Sequence, residues 1–141
     1  MKLRTALVSG LLFLGAMYAP LAAAQQQWSK TVAAPNVYTD NTENSSYFSQ
    51  GGLLPSAVIV NPGVSWNVGS YTNGWVTQTV FLCYKPPVGA EACSDISNEL
   101  TGSTTAFNGQ PARGQFRVAY RLVGGTYPVY PSFYNTVTVT Y

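Results

Sequence analysis

At 141 residues with only 9% charged, the chain is the length of a single domain, and it contains no histidine. That removes the commonest general base and rules out Ser-His-Asp and Cys-His catalysis. The formal charge of +2 arises from Lys2 and Arg4. Beyond residue 24, Lys30, Lys85, Arg113, Arg117 and Arg121 are balanced by Asp40, Glu43, Glu91, Asp95 and Glu99. No basic surplus remains to neutralise phosphates, which argues against a nucleic-acid partner.

The first element predicted in chain order is a secretory signal peptide over residues 1–24. Lys2 and Arg4 precede an apolar run from Ala6 to Met17, Pro20 breaks it, and Ala22-Ala23-Ala24 supplies small residues for cleavage. The run is too short for a transmembrane anchor, which needs about 20 apolar residues. The expected mature chain, 25–141, is one domain exported to the periplasm, with no membrane span.

Helix signals are sparse after residue 24, whereas Tyr, Thr, Val and Phe abound between Gly, Pro and Asn turns. That composition predicts short strands. Thr39–Gly52 is polar and reads as a surface loop pinned by Tyr47-Phe48. Weak strands are expected at Ala57–Val60, Ser65–Val68 and Thr104–Phe107. Trp75–Tyr84, apolar on both faces around Val80, Phe81 and Leu82, reads as a central strand. Gln115–Val123 places Phe116, Val118, Tyr120 and Leu122 on one face, with Gln115, Arg117 and Arg121 opposite. Gly124-Gly125 reads as a hairpin turn. After Pro128 and Pro131, Phe133–Tyr141 alternates Phe133, Asn135, Val137, Val139 and Tyr141 with Thr136, Thr138 and Thr140. Sustained period-two alternation means strands with one buried face. The predicted fold class is an all-β, antiparallel β-sandwich of the immunoglobulin or carbohydrate-binding-module kind.

In an oxidising compartment, Cys83 and Cys93 are expected to form one disulfide across a loop containing Pro86, Pro87 and Gly89. A zinc site wants four ligands and a redox pair is usually Cys-x-x-Cys, so neither a metal nor another cofactor is expected. Glu91, Asp95 and Glu99, four apart, would align on a helix. Gly89 and Cys93 instead place them in a loop and hairpin edge, as surface charges. No loop motif for calcium accompanies them, and no carboxylate pair points to glycoside hydrolysis. The expectation is a non-enzyme.

Aromatic residues offer the alternative of binding. Ten Tyr and three Trp have flat faces suited to sugar rings. Trp28, Trp66 and Trp75 are better explained as core fillers. Tyr127, Tyr130 and Tyr134, around the Pro-containing segment, form the candidate binding patch, with carbohydrate or peptidoglycan as its ligand class.

Taken together, several features resemble the periplasmic flagellar FlhE family. They are Ser65-Trp66, Leu82-Cys83, Cys93, Gly102-Ser103-Thr104-Thr105-Ala106-Phe107-x-Gly109, Gly124-Gly125 and the terminal Val137-x-Val139-x-Tyr141. The likeness covers Ala57 to Tyr141, and before that only Trp28 matches. The stretch between the cysteines is longer and richer in proline than the family's, and Thr140 stands where the family has Asn. The resemblance implies a periplasmic β-sandwich similar to carbohydrate-binding domains. It also implies a role in flagellar assembly, limiting proton leakage through the export apparatus, with flagellar export or basal-body proteins as partners. No catalytic residues come with it. A fimbrial subunit, which would assemble by strand addition, ranks last, because the polar N-terminal region lacks a long alternating donor.

Overall fold

The computed structural model describes residues 24–141, so the signal-peptide assignment lies almost wholly outside the described residues. Eight strands are present among them and no helix: β1 (Gln27–Ala33), β2 (Glu43–Phe48), β3 (Val64–Asn67), β4 (Thr77–Lys85), β5 (Ala92–Asp95), β6 (Thr101–Thr104), β7 (Gln115–Val123) and β8 (Tyr134–Thr140). They form two four-stranded antiparallel sheets, a first in the order β1-β8-β3-β6 and a second in the order β2-β7-β4-β5. The all-β sandwich expected from composition is the fold.

Period-two patterning explains which faces meet. Val80, Leu82 and Tyr84 on β4, with Phe116, Val118, Tyr120 and Leu122 on β7, turn inward from the second sheet; Val64, Trp66, Val137 and Val139 answer from the first, all buried. Burying each large apolar side chain contributes about 1.5–3 kcal/mol, so these residues hold the two sheets together. The chain changes sheet at almost every step. The exception is the β4–β5 hairpin, where Cys83 lies directly opposite Cys93 and the two are disulfide-bonded.

Polar groups also cross the interface. Asn135 on β8 is fully buried, its Oδ1 lying 2.8 Å from the Tyr120 hydroxyl and accepting from the Gly69 amide at 3.4 Å. Its Nδ2 donates to Ser46 Oγ at 3.4 Å, and Ser46 donates in turn to the Ala33 carbonyl at 2.8 Å. A buried amide is tolerable only when its groups find partners. Burial raises the Tyr120 hydroxyl far above the ordinary phenol value, ahead of the opposing effect of Asn135, so it stays a neutral donor.

Four sequence expectations are corrected. Thr39–Gly52 is not a loop throughout, because β2 occupies its middle and pairs with β7; polar Ser45 and Glu43 face outward while Phe48 enters the core. Ala57–Val60 makes only an isolated bridge, Val58 to Pro111. The third weak strand lies earlier, at Thr101–Thr104, and Phe107 reaches the core from a turn. Gly124 and Gly125 do turn the chain with positive φ, 78° and 90°, a conformation that favours glycine. They do not close a hairpin, since β7 and β8 lie in different sheets.

Candidate functional site

The outer face of the first sheet bears a cleft, and the chemistry of that face follows from register. Inward positions on β1, β8 and β3 take Trp28, Val137, Val139, Val64 and Trp66, which leaves their neighbours facing solvent. Pairing aligns these outward residues in two rows across four strands. One is Thr31–Thr136–Asn67–Thr101 and the other Ser29–Thr138–Ser65–Ser103. None carries a charge. The hydroxyls are linked within the rows: Thr31 Oγ1 and Thr136 Oγ1 are 2.8 Å apart, Thr138 Oγ1 donates to Ser29 Oγ at 2.8 Å, and Thr101 Oγ1 donates to Asn67 Oδ1 at 3.4 Å. Across β8, β3 and β6 the rows line an open cleft of about 440 Å³, with Glu99 and the edge of Trp66 also in its lining. Gly102 makes room for both, since a Cβ there would stand 2.8 Å from the Glu99 carboxyl and from the Trp66 ring.

One step further along β8, and in the same outward phase, Tyr134 pairs with Ala33 and is 66% exposed. Successive outward residues on a strand are about 7 Å apart. An aromatic face therefore stands beside the hydroxyl rows on one surface.

The other two patch tyrosines have different settings. Tyr130 is exposed and meets Tyr38 edge-on at 6.2 Å, across the Val37–Val129 bridge. Tyr127 is half-buried and donates to the Gly124 carbonyl at 2.8 Å, with Asp40 Oδ1 at 3.4 Å. Burial first, and then the Asp40 charge, push its hydroxyl above the ordinary phenol value. Tyr127 thus braces the Gly124-Gly125 turn, whose Gly124 amide also donates to Asp40 at 2.8 Å.

The tryptophans serve as packing groups. Trp28 and Trp66 are buried and Trp75 is half-buried. Each indole N–H donates to a backbone carbonyl: Trp28 to Ala112 at 3.3 Å, Trp66 to Glu99 at 2.7 Å and Trp75 to Tyr71 at 2.7 Å.

The outer face of the second sheet has opposite chemistry. Arg117 binds Glu43 at 2.6 Å and Glu91 at 2.8 Å, and Arg121 lies 3.9 Å from Glu43. The Arg117 hydrogen bonds hold the Glu91 carboxyl below the ordinary carboxylate range, and the Glu91 hydrogen bond, with that of Glu43, raises the Arg117 guanidinium further above its ordinary value. Asp95 accepts from Ser97 Oγ at 2.5 Å and Ser97 N at 2.9 Å, which lowers its pKa as well. The acidic trio of the sequence is thereby dispersed. Glu91 is in an ion pair, Asp95 caps a turn, and Glu99 lines the cleft. Cys83, Glu91 and Cys93 do converge, but the disulfide leaves no thiolate to ligate a metal.

Architecture and surface define a class: an all-β, disulfide-bonded sandwich with one ionic and one hydroxyl-lined outer face. No family model matches the chain, and neither does any curated protein. Among solved structures, the crystal structure of FlhE shares the fold, with a TM-score of 0.65 at 20% identity over 84% of this chain and 98% of that one. It is the protein whose family the sequence motifs resemble.

Proposed function

We propose that the chain is a non-enzymatic accessory protein of flagellar assembly that acts in the periplasm. In this reading it contacts flagellar export or basal-body proteins and limits proton leakage through the export apparatus. The observation that carries it is the agreement of two likenesses: motif by motif in the sequence, and in fold over nearly the whole of the FlhE chain. The chemistry supports the same reading. The chain has no histidine, and three of its carboxylates are engaged with Arg117 or Ser97.

Deleting the gene and measuring swimming and periplasmic acidification tests it. Impaired swimming with increased proton entry, restored by the wild-type chain, is the expected result. Unchanged swimming and proton entry in the deletion strain would remove the proposal.

A further inference from the structure

The outer face of the first sheet carries a binding chemistry that the flagellar reading does not use. We infer that the cleft over β8, β3 and β6, together with Tyr134, binds the glycan strand of the cell wall, a β-linked polymer of N-acetylated sugars.

Charge is the first argument. Neither row of this face holds an ionic group, and Glu99 is the one carboxylate in the cleft lining. An anionic polymer or a strongly charged peptide finds no complement there, whereas an uncharged polyhydroxyl chain loses little on desolvation. Hydrogen bonding is the second. Thr, Ser and Asn side chains both donate and accept, as sugar hydroxyls and acetamido groups do. Asn67 and Glu99 line the cleft, and an amide and a carboxylate can accept from an amide N–H or a hydroxyl. Shape is the third. The exposed Tyr134 ring provides an apolar patch for the flat face of a pyranose ring. From Tyr134 through Thr136 to Thr138 the surface extends about 14 Å along the strand, room for a few sugar units.

The second sheet provides an internal control. Tyr47 on β2 is 54% exposed and faces outward beside Arg117. Two exposed tyrosines thus stand on opposite faces of the same molecule.

Pull-down of the purified mature chain on insoluble peptidoglycan sacculi and on insoluble chitin, an uncharged β-linked N-acetylglucosamine polymer that carries no stem peptides, tests the inference independently of any motility phenotype. Retention in both cases, competed by soluble N-acetylglucosamine oligosaccharides, is expected. Tyr134→Ala should lower retention roughly tenfold, the order that one aromatic face contributes, and Thr136→Val with Thr138→Val should lower it further. Tyr47→Ala should leave it unchanged. Thermal melting of each variant separates lost binding from lost folding. The inference is overturned by no retention of the wild type, by retention on sacculi but not on chitin, by equal retention on cellulose, or by a Tyr47→Ala effect as large as that of Tyr134→Ala.

Discussion

The two outer faces are made from strands of similar length and similar alternation, yet they solve the problem of a solvent-facing sheet differently. On the second sheet, Arg117 ties β7 to Glu43 on β2 and to Glu91 beside β5, while the disulfide ties β4 to β5. On the first sheet, cross-strand contact is made by hydroxyls meeting hydroxyls or an amide. Ion pairs and a covalent bond fasten strands; short neutral side chains leave a face open to a ligand. If that contrast is right, substitutions on the second sheet cost stability and substitutions on the outer face of the first cost mainly binding.

The largest effect is expected at the disulfide. Cys83 and Cys93 are ten positions apart, and the loop-closure model gives about 2.5–3 kcal/mol for a ring of that size. Replacing both by serine should lower the urea midpoint accordingly. An unchanged midpoint would mean that the staple contributes nothing and the contrast fails on this side.

Next comes the tie between the sheets. Asn135 sits at the inward face of β8, opposite Tyr120 and Ser46. Asn135→Ala removes these bonds and leaves a small void, a loss of about 2 kcal/mol. A melting temperature equal to that of the wild type would show that the Asn135 bonds contribute nothing to joining the first sheet to the second.

How far these features were readable from sequence varies by strand. β7 and β8 were legible because their alternation is long and its apolar half unbroken. β4 was legible because Val80-Phe81-Leu82 is apolar on both faces, as an interior strand requires. β2 was not, because Ser45, Ser46 and Asn44 look like loop residues until pairing with β7 turns Phe48 into the core. β1 escaped similarly, with Trp28 its single buried apolar side chain. The hydroxyl rows were half visible. Thr136 and Thr138 stood out as the polar half of β8, but Ser29, Ser65 and Ser103 join them from three non-adjacent segments, and period two does not say which strands become neighbours. Tyr134 was singled out as an exposed aromatic, while its place beside the rows depended on that same pairing.

A smaller effect is expected at the ionic centre. Arg117→Met should cost about 1 kcal/mol at neutral pH, since its partners are partly solvated and exposed pairs are weak. The pH dependence carries the sign. Glu91 has a folded pKa below its ordinary value of 4.5, so the stability it contributes is present above that value and is lost as pH falls through the lower folded one. Wild type and variant should therefore differ most near neutrality and converge in acid. A difference that grew on acidification would contradict the pairing.

The smallest effect belongs to the hydroxyl face, and it decides the comparison. Thr136→Val keeps the β-branched shape that strands favour and removes one hydroxyl from an exposed pair with Thr31. Solvent satisfies the Thr31 hydroxyl left behind, so the stability change should stay within about 0.5 kcal/mol. Residues that stability does not require, arranged in register across four strands, are free to be specified by a ligand. A loss above about 1.5 kcal/mol would instead make the hydroxyl rows a fastening equivalent to the ion pairs of the second sheet, and the two faces would differ in chemistry without differing in purpose.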